Sequence, residues 1–150
     1  MAKELEQVRY FKMEMPFAAD KLAALIEAGG DAIEGPFDGE EAATLLADLD
    51  AGCTGTMTSG LQCEHIGQII RSYLAGDKEA ALAHWTRCLP LINHENRQCG
   101  LRAAKTVMME GGVIGSDYVR HPLKPMTDRT RARLLQLAAE SDVIALRWGK

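Results

Sequence analysis

The sequence predicts an α/β chain in which about three parallel strands, each followed by a helix, give way to a run of helices. Short apolar, β-branched or small-residue segments alternate with amphipathic ones up to about residue 60, and strand signals then stop. The strand-helix unit is roughly 20–25 residues, shorter than most dinucleotide-binding units and typical of barrels.

Val8–Met13 (VRYFKM) is β-branched and aromatic, which suits a strand, and Pro16 stops it. Ala18–Ala28 carries Leu22, Leu25 and Ile26 at helical spacing and ends at Gly29-Gly30. A second short strand is expected over Ala32–Glu34, running into Gly35-Pro36, then a helix over Glu40–Leu49 closed by Gly52. Cys53–Thr58 (CTGTMT) is the third strand, its small residues allowing close approach of a neighbour or ligand. Helices follow over Glu64–Leu74, over Lys78 to about Leu89 with Asp77 as N-cap, and over Gly100–Glu110. The second of these is expected to continue past Pro90, kinked, towards His94. After a turn-rich loop from Gly115 to Pro125, a last helix runs from Thr127 or Asp128 to about Glu140. The expected organisation is a partial barrel over 1–60 and a helical region of the same domain over 61–150.

At 150 residues the chain can bury a real core, and 47% hydrophobic with 25% charged residues is ordinary for a globular protein. A net charge of −4 with no basic run among aromatics argues against a nucleic-acid partner. The N-terminus has no signal-peptide core and no stretch approaches a membrane span, so a cytoplasmic location is expected. Cys53, Cys63, Cys88 and Cys99 form no CxxC pair and read as reduced, mostly interior thiols. His65, His84, His94 and His121 form no i, i+4 pair, so nothing supports a metal site. No GxGxxG opens a helix, so a dinucleotide cofactor has no support either.

Three parallel strands do not close a barrel and leave an unpaired edge on each side, which soluble proteins rarely tolerate. The order of features points to a larger parent: YFKME (Tyr10–Glu14), EGPFDGEEA (Glu34–Ala42), AGCTGTMTS (Ala51–Ser59), YLAGDKEAALAHW (Tyr73–Trp85), LPLINHENRQCGLRAAKTVMMEGGVI (Leu89–Ile114) and VRHPLKPMT (Val119–Thr127). In this order they resemble the dihydrodipicolinate synthase / N-acetylneuraminate lyase family from its sixth strand to its C-terminus. INHENRQCGL and EGGVI…RHPL look most like family members that dehydrate L-2-keto-3-deoxyarabonate.

The resemblance implies the C-terminal portion of a (β/α)8 TIM barrel followed by a helical extension, with Lys12 as the Schiff-base amine acting on a 2-oxo acid. It implies a lyase that needs no cofactor or metal, since the imine itself serves as electron sink. Strands one to five of such a barrel, with the carboxylate-binding motif and the proton-shuttling tyrosine, have no counterpart here. The chain is therefore expected to be truncated or split, forming a homo-oligomer or pairing with a missing N-terminal half.

Strand alternation puts Val8, Tyr10, Lys12 and Glu14 on one face and Arg9, Phe11 and Met13 on the other. An inward Lys12 at the C-terminal rim, desolvated, is expected to have a lowered pKa and to be nucleophilic. The competing reading is a solvent-facing lysine on an edge strand. Glu34, Gly35 and Asp38 are expected in a loop that contacts the substrate's hydroxylated tail; for Asp38 the competing reading is capping ahead of Glu40 and Glu41. Thr56, Met57 and Thr58 are expected to line the pocket, with Met57 equally readable as packing, and Gly55 gives room for backbone approach. Arg97, Arg102, Lys105, Arg120 and His121 read as structural or solvated groups, and Met108 and Met109 as core. Two other functions stay open: a catalytically incomplete half-barrel working only in an assembly, and a pyruvate-yielding aldolase using the same lysine.

Overall fold

The computed structural model describes residues 1–150. Strands β1 (Tyr10–Met13), β2 (Gly35–Asp38) and β3 (Gly55–Thr56) form one parallel sheet in the order β1-β2-β3. Helices α1 (Ala18–Gly29) and α2 (Leu45–Asp50) make the crossovers. Beyond them come α3 (Cys63–Leu74), α4 (Lys78–His94), a π-helical turn over Glu95–Cys99, α5 (Arg102–Glu110) and α6 (Asp128–Glu140). This is a partial barrel followed by a helical extension.

β1 starts at Tyr10 instead of Val8 and β3 shrinks from the expected Cys53–Thr58 to Gly55–Thr56, and two further boundaries shift in ways that shape the site. β2 begins at Gly35, after a 3-10 turn over Gly30–Ala32, where Ala32–Glu34 was the expected strand. Gly35-Pro36, a turn signal on its own, lies inside the strand. The Pro36 carbonyl accepts from the Thr54 amide at 3.0 Å, so the proline nitrogen also faces β3, at a point before β3 begins. The missing donor is therefore not needed there.

The second helix starts at Leu45 instead of Glu40. Residues 39–44 form a tight loop with φ of 58° at Glu41 and 66° at Ala42, incompatible with a right-handed helix. Such conformations cost about 1–3 kcal/mol each and persist where surrounding bonds enforce them. Here Asp38 accepts from the Glu40 and Ala42 amides, Glu41 accepts from the Ser59 amide, and Trp85 of α4 donates to the Ala42 carbonyl at 3.0 Å.

In the helical region Asp77 caps α4 as expected, and Thr127, expected as a possible first residue of the last helix, caps α6. Asp77 accepts from the Ala80 amide at 3.0 Å and Thr127 from the Thr130 amide at 3.2 Å. α4 runs through Pro90 to His94, and its extension widens into the π turn, closed by Gly100 N–H on the Glu95 carbonyl at 2.7 Å.

Two apolar clusters hold the chain, the first spanning residue 60 and the second lying wholly beyond it. The first joins Leu22, Leu45, Leu49 and Cys53 to Ile66, Ile69, Cys88 and Ile92, and Met13 packs against it. The second joins Leu61, Leu91 and Val107 to Leu134, Leu137 and Val143. Cys53, Cys88 and Cys99 are buried, Cys63 is exposed and all four are free; burial pushes the Cys53 thiol up to about 11. No helix is long and apolar enough to cross a membrane.

Candidate active site

The register aligns Tyr10 with Gly35 and Lys12 with Phe37. These four residues therefore share one face of the sheet, and Phe11, Met13, Pro36 and Asp38 the other. The first face is open. Tyr10 is 60% exposed and its ring stacks on Phe37 with centroids 6.1 Å apart. Gly35 makes that stack possible, because a Cβ there would lie 2.3 Å from the Tyr10 ring. Gly35 is thus filled over by aromatic side chains, two positions before the partner of Lys12. Glu34, at the same end, accepts from the Tyr10 hydroxyl at 2.8 Å and pairs with Arg9, whose hydrogen bond holds its carboxyl below the usual range.

Lys12 lies near the C-terminal end of β1, and its Nζ is 2.8 Å from Glu14 Oε2. The hydrogen bond to Glu14 raises its pKa, outweighing the opposite effect of burial, with the Glu14, Glu41 and Asp38 charges adding to the rise. This corrects the expectation of a desolvated lysine with a lowered pKa. The side chain is 36% exposed, because nothing covers this face of the sheet, and the nearest charge is a carboxylate. Gly39 closes in from the next strand: a Cβ there would lie 2.7 Å from Lys12 Cγ and 2.9 Å from Glu14 Cβ. Its absence leaves the lane along which Lys12 reaches Glu14.

Asp38 and Thr56 are register partners on the opposite, helix-facing side. Thr56 Oγ1 donates to Asp38 Oδ2 at 2.6 Å, and the Ala42 amide donates to the same oxygen at 3.0 Å. Oδ1 accepts from the Glu40 amide at 2.8 Å, and Asp38 is wholly buried. Neither side chain is directed at the face that carries Lys12; the expected contact of this pair with a substrate is replaced by a bond that ties the β2–α2 loop to β3. Met57 is 40% exposed, its amide donating to the Asp38 carbonyl at 2.8 Å, and strand alternation returns it to the Lys12 face.

A polar cleft of about 480 Å³ opens beside this corner, lined by Glu14, Gly39, Glu40 and Glu41 from the strand ends and by Asn93 and Arg97 from the helical region. Gly39, Glu40, Glu41 and Asn93 were missed as site residues. Glu40 and Glu41 fall within the helix expected over Glu40–Leu49 and Gly39 just before it, and only tertiary folding brings Asn93 to the strands. Behind the cleft Glu95 is buried in the π turn, and desolvation lifts its carboxyl to about 7, with Glu41 adding repulsion and a Ser59 hydrogen bond opposing. Of the other tail residues, Arg102 donates to the carbonyls of Cys99 (2.8 Å) and Lys124 (3.0 Å), and Lys105 to that of Tyr118. Arg120 and His121 lie with Leu101 and Tyr118 along a separate groove. No three His, Cys, Asp or Glu side chains are grouped to hold a metal ion.

The strand order, the lysine near the rim of β1 and the helical extension define part of a lysine-bearing β/α barrel. Residues 22–141 match the dihydrodipicolinate synthetase family, and the chain belongs to that family. It is 55% identical over 148 residues to the L-2-keto-3-deoxyarabonate dehydratase of Azospirillum brasilense, which covers 99% of this chain and 48% of that protein. The chain thus spans about half the length of this relative. Among solved structures it resembles the dihydrodipicolinate synthase of Rhodopseudomonas palustris, with a TM-score of 0.71 and 23% identity over 81% of this chain and 42% of that one.

Proposed function

We propose that the chain carries the imine-forming part of a Schiff-base lyase that dehydrates a 2-keto-3-deoxy sugar acid, L-2-keto-3-deoxyarabonate first among them. The observation that carries this reading is Lys12 on the open face near the end of β1, in a chain 55% identical to a protein named for that dehydration. The Lys12 amine, once it yields its proton, adds to the C2 carbonyl, and the carbinolamine loses water to form an imine. Glu14, 2.8 Å away, is the nearest acceptor for the ammonium proton. The imine acidifies C3; loss of a C3 proton gives the enamine, which expels the C4 hydroxyl as water. Tautomerisation of the C5 alcohol carbon and hydrolysis of the imine then release the oxoglutarate semialdehyde and free Lys12. Met57 shares the Lys12 face but lies two strands away, beyond Phe37, while Asp38 and Thr56 act indirectly, by holding the loop.

A second reading is favoured by the two open sheet edges and the exposed Tyr10. In it the chain works only in an assembly, with a second copy or with a separate chain supplying the remaining β/α units. Borohydride trapping with pyruvate or a 2-keto-3-deoxy acid, read by intact mass and peptide mapping, tests the first. The expected result is an adduct on Lys12 that is lost in Lys12→Ala. No adduct from the folded chain alone, with one appearing after addition of the remaining units, selects the second. Pyruvate released from a sugar-acid panel would replace dehydration by aldol cleavage.

A further inference from the structure

Asp48 of α2 is wholly buried, and its Oδ1 has no hydrogen-bond partner, while Oδ2 accepts from the Thr44 hydroxyl at 2.7 Å. The charged groups that face it are Asp38 from β2 and Glu40 from the loop, both acidic, with the Cys53 thiol nearby; Asp38 is within hydrogen-bonding reach. From α1, packed on α2, the apolar Leu22 joins the same cluster as Leu45 and Leu49. No basic side chain offsets these charges. An ionised Asp48 would be a desolvated anion beside a second one, with one oxygen unsatisfied.

The donor and acceptor inventory resolves this. Asp38 already accepts three donors, two on Oδ2 and one on Oδ1, and keeps one acceptor position on Oδ1. Asp48 accepts a single donor. We infer that Asp48 is a neutral carboxylic acid whose Oδ1 proton is donated to Asp38, making it the positioning residue beneath the loop that carries Gly39, Glu40 and Glu41. A buried acid and carboxylate then satisfy each other, and the strained turn at Glu41-Ala42 is anchored from below. Burial first, and then the neighbouring acidic charges, push the Asp48 carboxyl upward. The sign follows. A carboxyl raised on folding contributes stability that is complete below the ordinary aspartate range and is lost as pH rises through its folded value. The part that concerns Lys12 rests on the imine reading above; the protonation of Asp48 does not.

The test is a carbon-13 titration of the side-chain carboxyls in the full chain labelled only at aspartate, which keeps Glu95 silent. Through-bond connectivity assigns Asp48 in the unsubstituted protein. The expected result is Asp48 still at the protonated shift where free aspartate is fully ionised. Asp48 ionising in the ordinary aspartate range overturns the inference. Asp48→Asn keeps an acceptor for Thr44 and a donor for Asp38, so in a Glu95→Gln background, which removes the Glu95 titration, it is expected to retain the melting temperature and lose the remaining fall at alkaline pH, whereas Asp48→Ala melts several degrees lower. An Asn variant as unstable as the Ala variant also overturns it. Trapping at Lys12 should match the unsubstituted chain in Asp48→Asn and fall several-fold in Asp48→Ala. If the unsubstituted chain gives no adduct, the imine reading fails while the carboxyl titration still judges Asp48.

Discussion

The two faces of one three-stranded sheet are finished to different degrees. On the helix-facing side Met13 packs on the first core, and Asp38 and Thr56 bond each other and the loop. On the other side Tyr10 and Lys12 are exposed, and Gly35 and Gly39 make way for their side chains. The same strands thus complete one layer and leave the other open. Stability resides on the covered face, and the chemistry assigned to Lys12 on the uncovered one, so substitutions on the two should separate cleanly.

The largest effect is expected from Asp38→Ala, which strips two backbone amides and a hydroxyl of their buried acceptor. A loss of roughly 3–4 kcal/mol, lowering Tm by about 10 °C, should appear in thermal melts. A Tm within about 2 °C of the original would mean the loop holds itself, against the contrast drawn here.

Next comes the seam with the helical region. The Glu95 carboxyl is raised from 4.5 to about 7. Its stabilising contribution is therefore complete below its unfolded value and is lost as pH rises through about 7. Glu95→Gln should flatten that part of the pH dependence and be the more stable form at alkaline pH, by on the order of 2–3 kcal/mol. Denaturant titrations at acid and alkaline pH, with unchanged curves for the variant, would refute a buried neutral Glu95.

Gly39→Ala sharpens the contrast from the open side. Its Cβ would lie 2.7 Å from Lys12 Cγ, which can shift, but also 2.9 Å from Glu14 Cβ, which is fixed to the backbone, so stability should fall by about 1–2 kcal/mol. Trapping of a 2-oxo acid at Lys12 should fall several-fold, and equal yields would show that the lane to Glu14 is unimportant. The smallest effect is expected for Tyr10→Ala. A ring already 60% exposed and lying on the open face should cost under about 1 kcal/mol in chemical denaturation. A larger loss would mean that something covers that face in solution.

Local patterns carried much of this arrangement. The Gly29-Gly30 stop, the Asp77 cap and the apolar spacing of α1 act within one or two turns of helix, so they are legible from neighbouring residues. Alternation placed Tyr10 and Lys12 together for the same reason. The loop at 39–44 was not legible. Glu40 to Leu49 has a helical pattern, and what breaks it is Asp38, Ser59 and Trp85, the last two far along the chain. Arg97, read as structural, and Asn93, passed over as a site residue, reach the cleft only because α4 packs back across the strand ends.

The sequence by itself determined the β/α units, the helical extension and the position of Lys12 on its strand, because periodicity and capping are short-range. Only the tertiary structure decided the direction in which the Lys12 and Glu95 pKa values move and the path of the β2–α2 loop. A pKa and a strained backbone depend on solvent exclusion and on which distant groups arrive as neighbours, and neither is encoded in local spacing.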